Sequence, residues 1–96
     1  MNVSIAYRDS IDQSDALEER LRTRLAKINQ KIHEPASYKV TLERDGHLFR
    51  TNIGFLLKGQ EVVATASDAD AYTSIDQATD RAEKQVRRAH DRATSR

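Results

Sequence analysis

Val3, Ile5 and Tyr7 alternate with Ser4 and Ala6, the period of a strand with one buried face. After a polar connection, Ser14 suits a helix N-cap, because its hydroxyl can accept from the free amides of the first turn. Asp15, Glu18 and Glu19 then place negative charge at the positive end of the helix dipole. Leu17, Leu21, Leu25, Ile28 and Ile32 recur at spacings of four and three, one apolar stripe of an amphipathic helix. Pro35 disfavours helical angles at Glu34, so this helix is expected to stop near His33. Tyr38, Val40 and Leu42 alternate with polar residues, Asp45-Gly46 signals a tight turn, and Phe49, Thr51, Ile53, Phe55 and Leu57 return at period two. Lys58-Gly59 is a second turn, followed by alternating Val62, Ala64 and Ala66. From Asp70, as N-cap, a long helix presents Ile75, Thr79, Ala82, Val86, Ala89 and Ala93 on one side.

The predicted order is strand, helix, three strands, helix. Two consecutive hairpins make the last three strands an antiparallel meander. Each helix has one apolar stripe, so both must cover the same face of the sheet. The expected fold is a two-layer α+β sandwich of four strands and two helices, one domain over residues 1–96, fraying at about 93–96.

Composition narrows the function classes. Ninety-six residues, 38% apolar and 32% charged, build one modest core and exclude a two-domain enzyme with a cofactor cleft. The chain contains no Cys, so disulfides, thiolate zinc and a thiol nucleophile are excluded. No apolar run approaches the roughly 18–20 residues of a membrane span, and no signal peptide opens the chain, so a cytoplasmic protein is expected.

The net charge of +1 conceals segregation. Glu61, Asp68, Asp70, Asp76 and Asp80 stand without a cation over residues 61–80. Arg81, Lys84, Arg87, Arg88, Arg92 and Arg96 then outnumber Glu83 and Asp91. On the first helix Arg20, Arg24, Lys27 and Lys31 fall within roughly 60° of one another, beside the apolar stripe. On the second, Arg81, Lys84, Arg88 and Arg92 fall within roughly 80°, opposite the apolar stripe. The bland reading is a pair of solvated helix faces. The sharper one is a polyanion surface whose rows of cations meet phosphates.

The five aromatics, Tyr7, Tyr38, Phe49, Phe55 and Tyr72, are expected mostly in the core, which leaves backbone charge and shape to recognise structured RNA rather than single strands. Asp68 and Asp70 precede the second helix and read as caps, not metal ligands. His33, His47 and His90 show no metal-ligand spacing. Ser and Thr have no suggestive His–Asp partner, and Gly46, Gly54 and Gly59 form no phosphate loop. No enzyme activity, metal, cofactor or small-molecule substrate is therefore expected.

Two stretches resemble the ribosome hibernation-promoting factor family, also called the ribosome-associated inhibitor A or sigma-54 modulation protein family. Arg24-Leu25-Ala26-Lys27-Ile28 is similar to its first-helix pattern of basic–Leu–Ala–Lys–apolar. Asp70-Ala71-Tyr72-Thr73-Ser74-Ile75-Asp76 is similar to its Asp-Met-Tyr-x-Ala-Ile-(Asp/Asn) signature, with Ala71 in place of Met. Arg81, Lys84 and Gln85 match basic and glutamine positions that follow. The resemblance implies a fold like that of double-stranded-RNA-binding domains. It also implies binding to the small ribosomal subunit where mRNA and the A- and P-site tRNAs meet, which blocks initiation in stationary phase or stress. It places rRNA contacts at Lys27, Arg81, Lys84, Arg88 and Arg92. Arg20, Arg24 and Lys31 join them by the stripe argument alone. Within that family a chain of this length would be of the short kind, and a monomer off the ribosome is expected. The competing class is a protein-interaction module whose cations grip an acidic partner.

Overall fold

The computed structural model describes residues 1–9, 11–32 and 36–94, with side chains of the final helix described as far as residue 89. The elements are β1 (Asn2–Tyr7), α1 (Asp15–Asn29), β2 (Ser37–Asp45), β3 (Leu48–Leu57), β4 (Gln60–Asp68) and α2 (Ala71–Thr94). The sheet order is β1-β2-β3-β4, with β1 parallel to β2 and the other pairs antiparallel. A parallel neighbour needs a crossover, and α1 supplies it. The expected order and the two-layer architecture are both present.

Both helices lie on one face of the sheet. Leu17, Leu21, Leu25 and Ile28 of α1 and Ile75, Ala78, Ala82 and Val86 of α2 are buried against Tyr38, Val40, Leu42, Ile53, Phe55, Val62, Ala64 and Ala66. Small residues on α2 and β4 let that helix settle close to the strand. Polar ties fix the layers at their ends. The Tyr38 hydroxyl donates to Asn29 Oδ1 at 3.1 Å, and burial pushes its phenol up to about 12. At the start of α2, the Thr51 and Ser74 hydroxyls meet at 2.9 Å with both residues buried, and Ser74 also donates to the Ala71 carbonyl.

The turns follow the local signals, with one shift. Asp45 pairs with Leu48, so the first hairpin turns on Gly46-His47 rather than Asp45-Gly46, with Gly46 at φ +65°. Lys58 and Gly59 both have positive φ, as a type I′ turn between Leu57 and Gln60 requires. Ser14 caps α1 by accepting from the Leu17 amide at 3.3 Å. Asp70 caps α2 by accepting from the Tyr72 amide at 3.1 Å, and Asp68 accepts from the Asp70 amide.

Two expectations need correction. α1 ends at Asn29 rather than near His33, because Lys31 and Ile32 bond to Ile28 and Asn29 and tighten the chain into a three-residue turn. Ile32 still reaches the core. Of the five aromatics expected mostly in the core, Tyr38 and Phe55 are buried and Tyr7 and Phe49 half-buried, whereas Tyr72 is 42% exposed. It sits in the first turn of α2, where its ring borders a shallow cleft beside Ile11, Leu17 and Phe49. The expected fraying at 93–96 concerns side chains, and at 95 and 96 backbone, outside the described residues.

Candidate nucleic-acid interface

α1 and α2 run side by side and parallel, so residues at matching heights face each other. Three of the four cations read as the first basic row point across this seam into carboxylates. Arg20 makes a bidentate pair with Asp76, Nε to Oδ1 at 2.8 Å and Nη2 to Oδ2 at 2.6 Å. Arg24 donates through Nε to the buried Thr79 hydroxyl at 2.6 Å and through Nη2 to Asp80 at 2.5 Å, and it lies 3.4 Å from Asp76. Lys31 donates to Glu83 at 2.5 Å, a carboxylate that also takes Arg87 at 3.0 Å. The hydrogen bond from Arg20 holds Asp76 below its ordinary range and raises the Arg20 guanidinium. The bond from Lys31 lowers Glu83 in the same way.

The unneutralised row expected on α1 is therefore corrected at Arg20, Arg24 and Lys31. The cause is geometric. Asp76, Asp80 and Glu83 occupy one flank of α2, and packing the helices in parallel brings that flank onto α1. These cations strut the helix pair together. Lys27, one step further round α1, is exposed and makes no ion pair among the described residues.

The second row has a different fate. Lys84 and Arg88 are exposed and meet no carboxylate among the described residues. Arg81 donates to the Thr65 carbonyl, and a neutral acceptor leaves its charge intact. Asp76, Asp80 and Glu83 point to α1, while among the described residues the outer ridge of α2 and its flank over β4 stay positive. Arg88 borders a cleft of about 550 Å³ between α2 and the β3–β4 turn, where Lys58 and Gln60 join it. Lys58 is 30 positions from Arg88, and only the turn's return toward α2 unites them. The side chain of Arg92 lies outside the described residues.

No group of three or more His, Asp or Glu residues that could hold a metal is found among the described residues. No described helix is long and apolar enough to cross a membrane. What remains is the outer side of α2 with Lys84 and Arg88 exposed, charge of the sign that meets phosphates.

Comparison with known proteins agrees with the motifs. The family model described as "Sigma 54 modulation protein / S30EA ribosomal protein" matches residues 3–94. The fold is similar to the crystal structure of Thermus thermophilus Protein Y N-terminal domain, at 31% identity and TM-score 0.84 over 93% of this chain and 99% of that one. It is also similar in fold to a ribosomal subunit interface protein from Coxiella burnetii, at 19% identity and TM-score 0.82 over 94% and 98% of the two chains. No curated protein sequence matches. With a match that spans nearly every residue, this chain belongs to the sigma 54 modulation protein / S30EA ribosomal protein family.

Proposed function

We propose that this protein is a translation inhibitor of idle ribosomes. It binds rRNA of the small subunit near the mRNA channel and the A and P tRNA sites, and excludes mRNA and tRNA by occupying their space. Family membership supports the ribosome as partner. The observation that carries the mode of binding is the outward ridge of α2, where Lys84 and Arg88 meet no carboxylate among the described residues while Asp76, Asp80 and Glu83 are spent on α1. Arg81 adds charge beside the ridge, and Lys27 adds a point on α1. Arg20, Arg24 and Lys31 take no part in contacting RNA.

The chemistry needs no catalytic group. Each phosphate met by a cation releases condensed counterions, so binding is entropic in origin and falls with salt. Four contacts, from Lys27, Arg81, Lys84 and Arg88, predict a log–log slope of about −3 to −4 against salt concentration. Sedimentation of the protein with purified small subunits across a salt series tests this. A slope near zero, or binding that survives RNase digestion of the subunit, contradicts rRNA recognition and favours an acidic protein partner.

A further inference from the structure

β4 is an edge strand, and the backbone groups on its outer side have no strand to pair with. The run from Val62 to Ser67 (Val-Val-Ala-Thr-Ala-Ser) carries no charge, is rich in β-branched residues, and holds no Pro. Its Val63 side chain is 53% exposed on the face away from the helices. Such a strand is a template for a second strand unless something guards it. In an antiparallel ladder, one residue offers its N–H and C=O on the same side, so Val63 and Thr65 are the residues through which an added strand would pair.

Two α2 side chains occupy those positions. Gln85 Nε2 donates to the Val63 carbonyl at 2.8 Å, and Arg81 donates to the Thr65 carbonyl. The match is one of period. Residues 81 and 85 are one helical turn apart, about 6 Å along α2, and residues 65 and 63 are about 6.6 Å apart along β4. Long polar side chains from that flank of the helix therefore land on successive outward carbonyls.

We propose that Arg81 and Gln85 guard the β4 edge against a second copy of this chain. The occupant they exclude is the same strand of another molecule, added antiparallel about a two-fold axis. The Val62–Ser67 run is self-complementary in this arrangement, because it is uncharged between Glu61 and Asp68 and presents the same outward groups to its copy. Arg81 is thereby a structural residue as well as a positive one. An unguarded chain would pair edge to edge and turn α2 of each molecule toward the other, obstructing the ridge that faces RNA.

The test is the mass of the Arg81→Ala/Gln85→Ala variant by light scattering over a concentration series. Far-UV circular dichroism confirms that the fold is retained. The parent is expected to stay at 10.9 kDa, and the variant to shift toward twice that mass, with a dimer dissociation constant at least roughly tenfold lower than the parent's. Lys84→Ala removes the same charge without touching the edge and is expected to leave the mass unchanged. Adding Val63→Lys to the double variant places a cation on the exposed edge and is expected to restore the monomer. A folded double variant that stays monomeric at every concentration overturns the proposal. So does a dimer that Val63→Lys leaves intact. Should the double variant unfold, Gln85→Ala alone, on an exposed helix flank, must show the same shift in weaker form, and a monomer there also overturns it.

Discussion

Replacing Arg24 with Ala separates a strut from a ligand, because the account assigns this side chain to the fold and not to RNA. The substitution removes a 2.6 Å bond to the hydroxyl of Thr79, which is 1% exposed, and a 2.5 Å contact with Asp80. A hydrogen bond to a charged donor contributes about 1.5–3 kcal/mol where it is well buried. Arg24's side chain is 27% exposed, and Thr79 keeps its own donation to the Ile75 carbonyl, so the lower part of that range applies. The Asp80 contact is on the surface and adds roughly 0.2–1 kcal/mol, partly offset by the better helix propensity of Ala. A net loss of about 1–2 kcal/mol corresponds to a melting temperature lowered by about 5–15 °C for a domain of this size. Thermal unfolding followed by circular dichroism reads that loss, and sedimentation with small subunits at a temperature where the variant is folded reads binding. Binding is expected to stay within about twofold of the parent, since no phosphate contact is lost. The reciprocal variant is Lys27→Ala, whose side chain meets no carboxylate among the described residues and which is expected to melt within about 0.5 kcal/mol of the parent while weakening binding. An Arg24→Ala protein with parent-like melting and lost ribosome binding would refute the assignment.

Acid is expected to loosen the helix pair. Asp76 and Glu83 sit below their ordinary values of 3.8 and 4.5 because their charged forms accept from Arg20 and Lys31. Their contribution is therefore fully present above about pH 6, fades as pH drops through those ordinary values, and is gone below the depressed native ones. Urea unfolding at pH 7, 5, 4 and 3 checks the sign, and Glu83→Gln should flatten part of the slope; stability that rises on acidification contradicts it. Inside the core, Thr51→Val leaves Ser74 without a partner on one side and is expected to cost about 1 kcal/mol. Adding Ser74→Ala should recover part of that loss, and strict additivity in a double-mutant cycle would show that the two hydroxyls are not coupled.

The strands and helices were legible because the hydrophobic period changes cleanly between 2 and 3.6. Val40, Ile53 and Ala64 alternate on a sheet face, whereas Leu21, Leu25 and Ile28 mark a helix, and Ser14 and Asp70 announce the helix starts. The parallel pairing of β1 with β2 left no such mark, since strand pairing is decided by tertiary packing. The basic rows were half legible. A helical wheel finds Arg20, Arg24 and Lys31 on one side of α1 but does not say what faces them. The signal was nonetheless available. Asp76, Asp80 and Glu83 line the opposite flank of α2 from Arg81, and two helices sharing one sheet face must lay a flank of each together. Tyr72 misled because an aromatic in an apolar signature reads as core, while its position in the first turn leaves the ring at the sheet's margin. Lys58 beside Arg88 had no sequence signal, because a turn brings them together across 30 residues.

The central claim is that the charge which holds RNA sits on the outer ridge of α2. Co-sedimentation of the Lys84→Glu/Arg88→Glu variant with purified small subunits at about 0.1 M salt tests it most directly. Both residues are exposed, so the variant is expected to keep the parent's circular dichroism and melting. Losing two phosphate contacts lowers affinity by about a hundredfold, and the reversed charges repel the backbone further. The account predicts that the variant remains in the supernatant. A folded variant that still pellets with the subunit contradicts it.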